Sequence, residues 1–567
     1  MTPETPAGFV FAIPPGLVLI ATGFVLLAAQ GTVRNALILL APLVALALVW
    51  MLPEGGALTF QWLGYKLTPL RADALSRLFG TVFSIMTFAG GLFALRQERT
   101  TELAAAFVYA GGALSVVFAG DLITAFVFWE VMAIASTLVI WFAGTDGARK
   151  AGQRYVVIHL FGGVLLMAGI AAHLALGGDV SFGSLVESPA KWLILAGVLL
   201  NAGAPPLSAW LPDAYPEASW SGMVFLSAYT TKTAVYVLIR GFPGEPALIW
   251  LGLFMVFYGI VYAILENDMR RILAYSIINQ VGFMVTAVGI GTPMALNGAA
   301  AHAFVHIIYK ALLLMSAGSV LYMTGKRKCT DLGGLFRTMP LTTITGIIGA
   351  LAISAFPLTS GFVAKSMISE GAGQEHMALV WFLLTAASAG VFLHAGIKFP
   401  WFVFFNRDSG LRPPDPPMSM RAALVLLSLL CVGIGVAPGL LYGLLPYAVD
   451  YAPYTPAHVV SQLQLLLFSG LAFFLLLGWL RRTETITLDA DWFWRRLGPA
   501  AAASAFGGIA SAAAALSDAV RRTVMGIVSA VYRHHGPGGI LARAWPTGSM
   551  AFWATVMLAA YLFLYYF

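Results

Sequence analysis

Cysteine is nearly absent, with two in 567 residues. Cys329 and Cys431 stand about a hundred positions apart with no CxxC, so the ligand sets of a structural zinc site and of an iron–sulfur cluster are missing. Charge is scarce too, at 10% of residues against 59% hydrophobic, with mean hydropathy +0.85. So thin a polar fraction cannot coat a soluble core, and the composition is that of an all-α polytopic membrane protein. The net charge of +7 is not gathered into one run, which argues against a nucleic-acid surface. No basic leader opens the chain: MTPETPAGF carries acid and proline, so the first apolar run reads as a retained span and not as a signal peptide.

What is present is about sixteen apolar runs of span length. They fall near residues 8–30, 33–52, 74–95, 103–119, 122–143, 154–176, 191–210, 222–241, 247–265, 272–291, 296–324, 340–362, 378–402, 420–445, 459–480 and 549–567. Basic residues sort by loop. Loops after odd-numbered spans hold Arg34, Arg96, Arg99, Arg149, Lys150, Arg270, Arg271, Lys326, Arg327, Lys328, Arg337, Arg407 and Arg412, while even-numbered loops hold little beyond Lys66, Arg71, Lys191 and Arg240. By the positive-inside rule the odd loops are cytoplasmic, and both termini lie outside.

Polar residues inside spans are the exceptions that matter, since a charge at mid-bilayer costs roughly 2.5–3.5 kcal/mol on insertion scales. In the eleventh span, AAHAFVHIIYKALLLMSAGSV, residues His302, His306 and Lys310 recur every fourth position. They share one helix face and climb it by about 12 Å. Lys232 falls in the eighth span, Lys365 in the twelfth and Lys398 in the thirteenth, so four of nine lysines lie within spans. A desolvated amine sheds its proton more readily than a guanidinium can, which suits a hopping proton. Glu130 is the one acid expected deep in a span. Burial favours the neutral form of a carboxyl and a nearby cation the ionised one, and a carboxyl between those pressures can pass a proton.

Secondary candidates are His159, His394 and Lys398, each with a plainer structural alternative: a backbone hydrogen bond for the histidines, snorkelling for Lys398. Arg154 is expected to snorkel, Arg71 and Asp73 to sit at the interface, and Ser276, Asn279 and Gln280 to glue helices together. Pro205 and Pro206 break the seventh span, and Pro357 with Gly361 break the twelfth. Broken helices at membrane depth belong beside protein or cavity water. Spans four to eight and nine to thirteen thus form two five-helix groups, each with its fourth member broken, and an odd count inverts the second group relative to the first. The expected divisions are a scaffold at 1–102, repeats at 103–245 and 246–410, further spans at 411–482, cytoplasmic interfacial helices at 483–548 and a final span at 549–567. Within the interfacial stretch Pro499, Gly507-Gly508 and Gly536–Gly539 are expected to break the helix.

The fragments DLITAFVFWEVM, PPLSAWLPDAYPEA, LSAYTTKTAVYVLIR, DMRRILAYSIINQVGFM, HAFVHIIYKALL and FPLTSGFVAK carry a resemblance. Over residues 60–410 the chain resembles the antiporter-like, proton-translocating subunits shared by respiratory complex I and the Mrp-type multisubunit cation/proton antiporters, in wording closest to the Mrp D-type subunit. The tail resembles that of the most distal complex I pump subunit, with its lateral helix and final span. The resemblance implies that Glu130, Lys232, His302, His306, Lys310 and Lys365 relay protons, with Na+ a candidate second ion. It also implies that the chain works among other membrane subunits in a bacterial cytoplasmic membrane, with no cofactor or metal of its own, in an antiporter or a redox-driven pump. One departure is Asn201, which stands where the family usually carries a lysine paired with the glutamate.

Two rivals remain open on the sequence. A quinone- or haem-binding redox subunit is disfavoured because His302 and His306 lie on one helix and no dinucleotide fingerprint occurs. A transport-inactive scaffold rests on Asn201 alone.

Overall fold

The computed structural model describes residues 13–480, 484, 489–540 and 546–567. The protein is an all-α polytopic membrane protein, and its helices start and stop where local chemistry dictates. Thr145, Asp268 and Thr292 accept hydrogen bonds from the first turns of helices Asp146–Ala175, Met269–Ile290 and Pro293–Thr324, satisfying amides that have no intrahelical partner. Gly291 and Gly325 close the last two of these in the left-handed conformation.

Fourteen helices among the described residues are long and apolar enough to cross a membrane. The first, seventh and twelfth expected spans are shorter, at Pro15–Leu26, Pro189–Ala202 and Pro340–Ile353. For the last two the reason is the expected break. The seventh stops at Gly203 (φ +80°) and resumes as Trp210–Ala214, leaving Pro205 and Pro206 in the unwound stretch. The twelfth unwinds over residues 354–359, which hold Pro357, and resumes at Ser360–Gln374. Gly361 lies in the first turn after that break instead of inside it, and a Cβ there would run into the Ala352 carbonyl.

A third interruption has no signal in the sequence. The eighth span lapses between Gly222–Leu226 and Thr230–Gly241, just ahead of Lys232. Between the second and third spans lies an antiparallel hairpin, Gly55–Trp62 with Tyr65–Ala72. Its end runs into Asp73, which caps helix Ala74–Phe93 through a reciprocal bond pair with Ser76 and accepts two hydrogen bonds from Arg240, at 2.8 and 2.9 Å. Burial alone would raise the Asp73 carboxyl, but the Arg240 guanidinium and the Ser76 amide outweigh it and hold the group below its ordinary value.

Small residues let the core helices close up. Gly252 and Gly282 on helices Ala247–Leu265 and Met269–Ile290 face each other so tightly that a Cβ on either would meet the other's carbonyl at 2.6 Å. The chain separates into a body reaching to Asp491 and a second from Trp492 to Phe567. In the second, Gly498–His535 is one unbroken helix of 38 residues, about 57 Å at 1.5 Å per residue and longer than a ~30 Å hydrocarbon core. The breaks expected at Pro499 and Gly507-Gly508 do not occur. Proline in the first turn lacks only an N–H that has no partner there, and the alanine-rich surroundings carry the glycines. The helix ends at Gly536, within the last predicted break.

Candidate functional site

Helix Pro293–Thr324 runs through the interior, and His302, His306 and Lys310 are fully buried on it. The Lys310 ammonium donates to Ser276 Oγ at 2.8 Å and makes a long contact to the Leu273 carbonyl at 3.4 Å. His302 Nε2 lies 3.0 Å from Gln280 Oε1 and 2.9 Å from the Tyr309 hydroxyl, which itself donates to Gln280 at 3.0 Å. An amide oxygen only accepts, so Nε2 carries the proton toward Gln280 and Nδ1 presents its lone pair. Neither ring nitrogen of His306 has a hydrogen-bond partner among the described residues, and its ring lies 6.1 Å from that of His302. Buried polar atoms of this kind are rare enough to require an explanation.

Lys232 joins the row from the eighth span. The interruption frees the Ser227 carbonyl, and the Lys232 ammonium donates to it at 2.7 Å and to Thr231 Oγ1 at 2.9 Å. Lys232 is a charged neighbour of both His302 and His306, and Lys365 is one of His302. Lys365, six residues past the second broken stretch, has no hydrogen-bond partner among the described residues and sits 4.4 Å from the centroid of the Phe283 ring. It lines a cavity of about 730 Å³, room for about two dozen waters at ~30 Å³ each. The structure thus gathers a buried row in the helical order Lys310, His306, His302, with Lys232 beside it and Lys365 beside His302 at the cavity. Among the described residues no carboxylate forms an ion pair with any of the three lysines.

The remaining candidates fall elsewhere. Glu130 is half-buried with its carboxyl packed against Gly163, and its buried Oε1 has no hydrogen-bond partner among the described residues. His159 is wedged between Tyr155 and Trp210, ring centroids at 4.0 and 4.6 Å, and faces Asn201 without a well-formed hydrogen bond. Arg154, expected to snorkel, instead forms a two-pronged pair with buried Asp213 at 2.7 and 2.9 Å. His394 is the exception: it lies in a π-helical turn, Phe392–Lys398, donates from Nδ1 to the Gly390 carbonyl at 2.8 Å, and has Lys310 and Lys365 of the row as well as Lys398 for charged neighbours. Lys398 neither snorkels nor meets the row. It caps helix Ala247–Leu265 by donating to the carbonyls of Ala263 at 3.1 Å, Glu266 at 2.6 Å and Ile264.

Two features were missed. Glu130 is not the only acid buried in a span helix, because Glu102, in the first turn of Thr100–Phe118, is 1% exposed and accepts from Gln97, Ser219 and Ser221. Ser276 and Gln280, expected as helix glue, bond the row itself, whereas Asn279 is glue, donating to the Val256 carbonyl at 2.9 Å.

Broken helices beside a titratable row are an arrangement also found in membrane proteins that move ions. Residues 119–392 match the family described as NADH:quinone oxidoreductase/Mrp antiporter, transmembrane. The D-type chain of the Na(+)/H(+) antiporter from Alkalihalophilus pseudofirmus is 31% identical over 340 residues, covering 54% of this chain and 68% of that protein. The chain belongs to this family. The A/B-type chain of a probable K(+)/H(+) antiporter from Rhizobium meliloti is 29% identical over 440 residues, and there the alignment takes in 71% of this chain but only 44% of the relative. The solved Mrp complex from Dietzia sp. shares the fold with a TM-score of 0.77 at 21% identity, over 92% of this chain and 63% of that one.

Proposed function

We propose that the chain is a proton-translocating membrane subunit of a larger assembly of Mrp or complex I type, with Na+/H+ exchange as one form its coupling can take. Protons enter from the cytoplasmic side near Lys232 and Glu130, pass Lys310, His306 and His302, and leave through Lys365. The observation that carries this reading is the buried row without counter-ions, which ends at a polar cavity. An amine or imidazole in such surroundings holds its proton loosely enough to hand it on. The loop asymmetry of basic residues supports a bacterial cytoplasmic membrane with both termini outside. The relatives' names support partner subunits, and the driving force is either a redox reaction in those subunits or the ion gradient.

The test is proton movement in vesicles carrying the whole assembly. Lys310→Ala and Lys365→Ala each abolish it while the complex stays assembled, and retained pumping in both variants would refute the route. Glu130→Gln slows it less, since no cation faces that carboxyl. A transport-inactive scaffold is the reading Asn201 favours, and a silent wild-type assembly would decide for it.

A further inference from the structure

The cavity that Lys365 lines is built from more than the second repeat. One wall is helix Ser360–Gln374, with Lys365, Ser369 and Glu370, and another is helix Pro456–Leu475, with His458. Asp450 and Tyr451 line it from the preceding loop. Helix Pro456–Leu475 stands outside both five-helix groups, yet it is fastened to the broken helix twice. The His458 ring stacks on Phe362 at 4.5 Å with the planes 16° apart, and Gln462, one turn on, donates to the Ser354 carbonyl at 3.3 Å, a group freed by the break. Phe362 precedes Lys365 by three residues and so shares its helix face.

The orientation of the ring is fixed as well. His458 Nδ1 lies 2.8 Å from the Pro453 carbonyl. A carbonyl can only accept, so Nδ1 carries the hydrogen and Nε2 keeps the lone pair. His458 is half-buried in the cavity wall. The other charged or titratable groups lining the space are Lys365, Glu370, Asp450 and Tyr451.

We propose that His458 is the outer proton acceptor of the translocation path: it takes the proton from Lys365 across the cavity and delivers it toward the acidic mouth at Glu370 and Asp450. This assignment rests on the route through Lys365 given above. The step balances. The ammonium of Lys365 loses one proton to cavity water, His458 Nε2 gains one, and the imidazolium then releases it outward, with Nδ1–H held on Pro453 throughout. The fifteenth span becomes part of the conducting path, where the repeat architecture alone would make it packing.

The experiment measures charge movement by the intact assembly on a solid-supported membrane after a pH jump, with blue-native gels reporting assembly. Both His458→Ala and His458→Asn assemble, the latter preserving a donor for Pro453, and both lose at least ten-fold in current. Imidazole at equal concentration on both faces restores at least three-fold in His458→Ala, which a merely structural role would not allow. A His458→Ala current above half of wild type, or a loss that imidazole leaves unchanged, overturns the assignment. Lys365→Ala separates the two levels. If it is silent while His458→Ala conducts, His458 alone is wrong; if it conducts like wild type, the exit through Lys365 falls and this assignment with it, and Lys310→Ala decides whether the rest of the route stands.

Discussion

Lys310 is held by one hydroxyl and one long carbonyl contact, although an ammonium offers three donors. That light grip matters because a proton carrier bound at every donor would be slow to release its charge. Ser276→Ala removes the shorter bond, and the expected outcome is a several-fold slower build-up of a pH gradient in vesicles with assembly unchanged, while Ser276→Thr stays near wild type. The charged members of the row were visible in the sequence, since an amine or imidazole amid apolar residues is too costly to be idle. Their partners were not, because an amide's partner lies on another helix. Asn279 and Gln280 are adjacent and both polar, yet one bonds the neighbouring helix and the other His302. For the same reason the sequence placed Glu130 within a span helix without revealing that its carboxyl packs against Gly163.

At the scale of the element, the broken helices do what uniform ones cannot, because each releases backbone groups inside the membrane. The second break is shaped by backbone strain, with Ala355 at φ +56° and Leu358 at φ +68°, a region that residues with a Cβ occupy at a cost of about 1–2 kcal/mol. It is also shaped by the close approach at Gly361. Gly361→Ala drives a methyl into the Ala352 carbonyl and is expected to lower the thermal midpoint of the detergent-solubilised protein by several degrees. Ala355→Gly, which relieves strain, is expected to leave it unchanged or raise it. Prolines announced these two breaks. The lapse at residues 227–229 contains neither proline nor glycine, so periodicity read straight across it. The long helix Gly498–His535 is the converse case, in which breakers were present and position made them harmless.

At the scale of the whole molecule, the Asp73–Arg240 pair staples the start of helix Ala74–Phe93 to the end of helix Thr230–Gly241, far apart in sequence. Asp73 is 37% exposed, and solvent screening limits the pair to about 1 kcal/mol. Because its carboxyl is depressed in the fold, that stability is present above the ordinary value of 3.8 and is lost as pH falls through the lower folded value. Asp73→Asn therefore lowers the thermal midpoint at neutral pH, and the gap to wild type narrows at pH 3; an equal gap at both would contradict the linkage. The row also has a collective property. With no carboxylate to neutralise any lysine in it, two charges as close as the His302 and His306 rings, 6.1 Å apart, repel by about 3 kcal/mol at an effective dielectric of about 20, a roughly hundredfold bias against double occupancy. On the route proposed above, the row is a queue with mutual exclusion: a newcomer is admitted only as the one ahead departs, and repulsion keeps the order of passage.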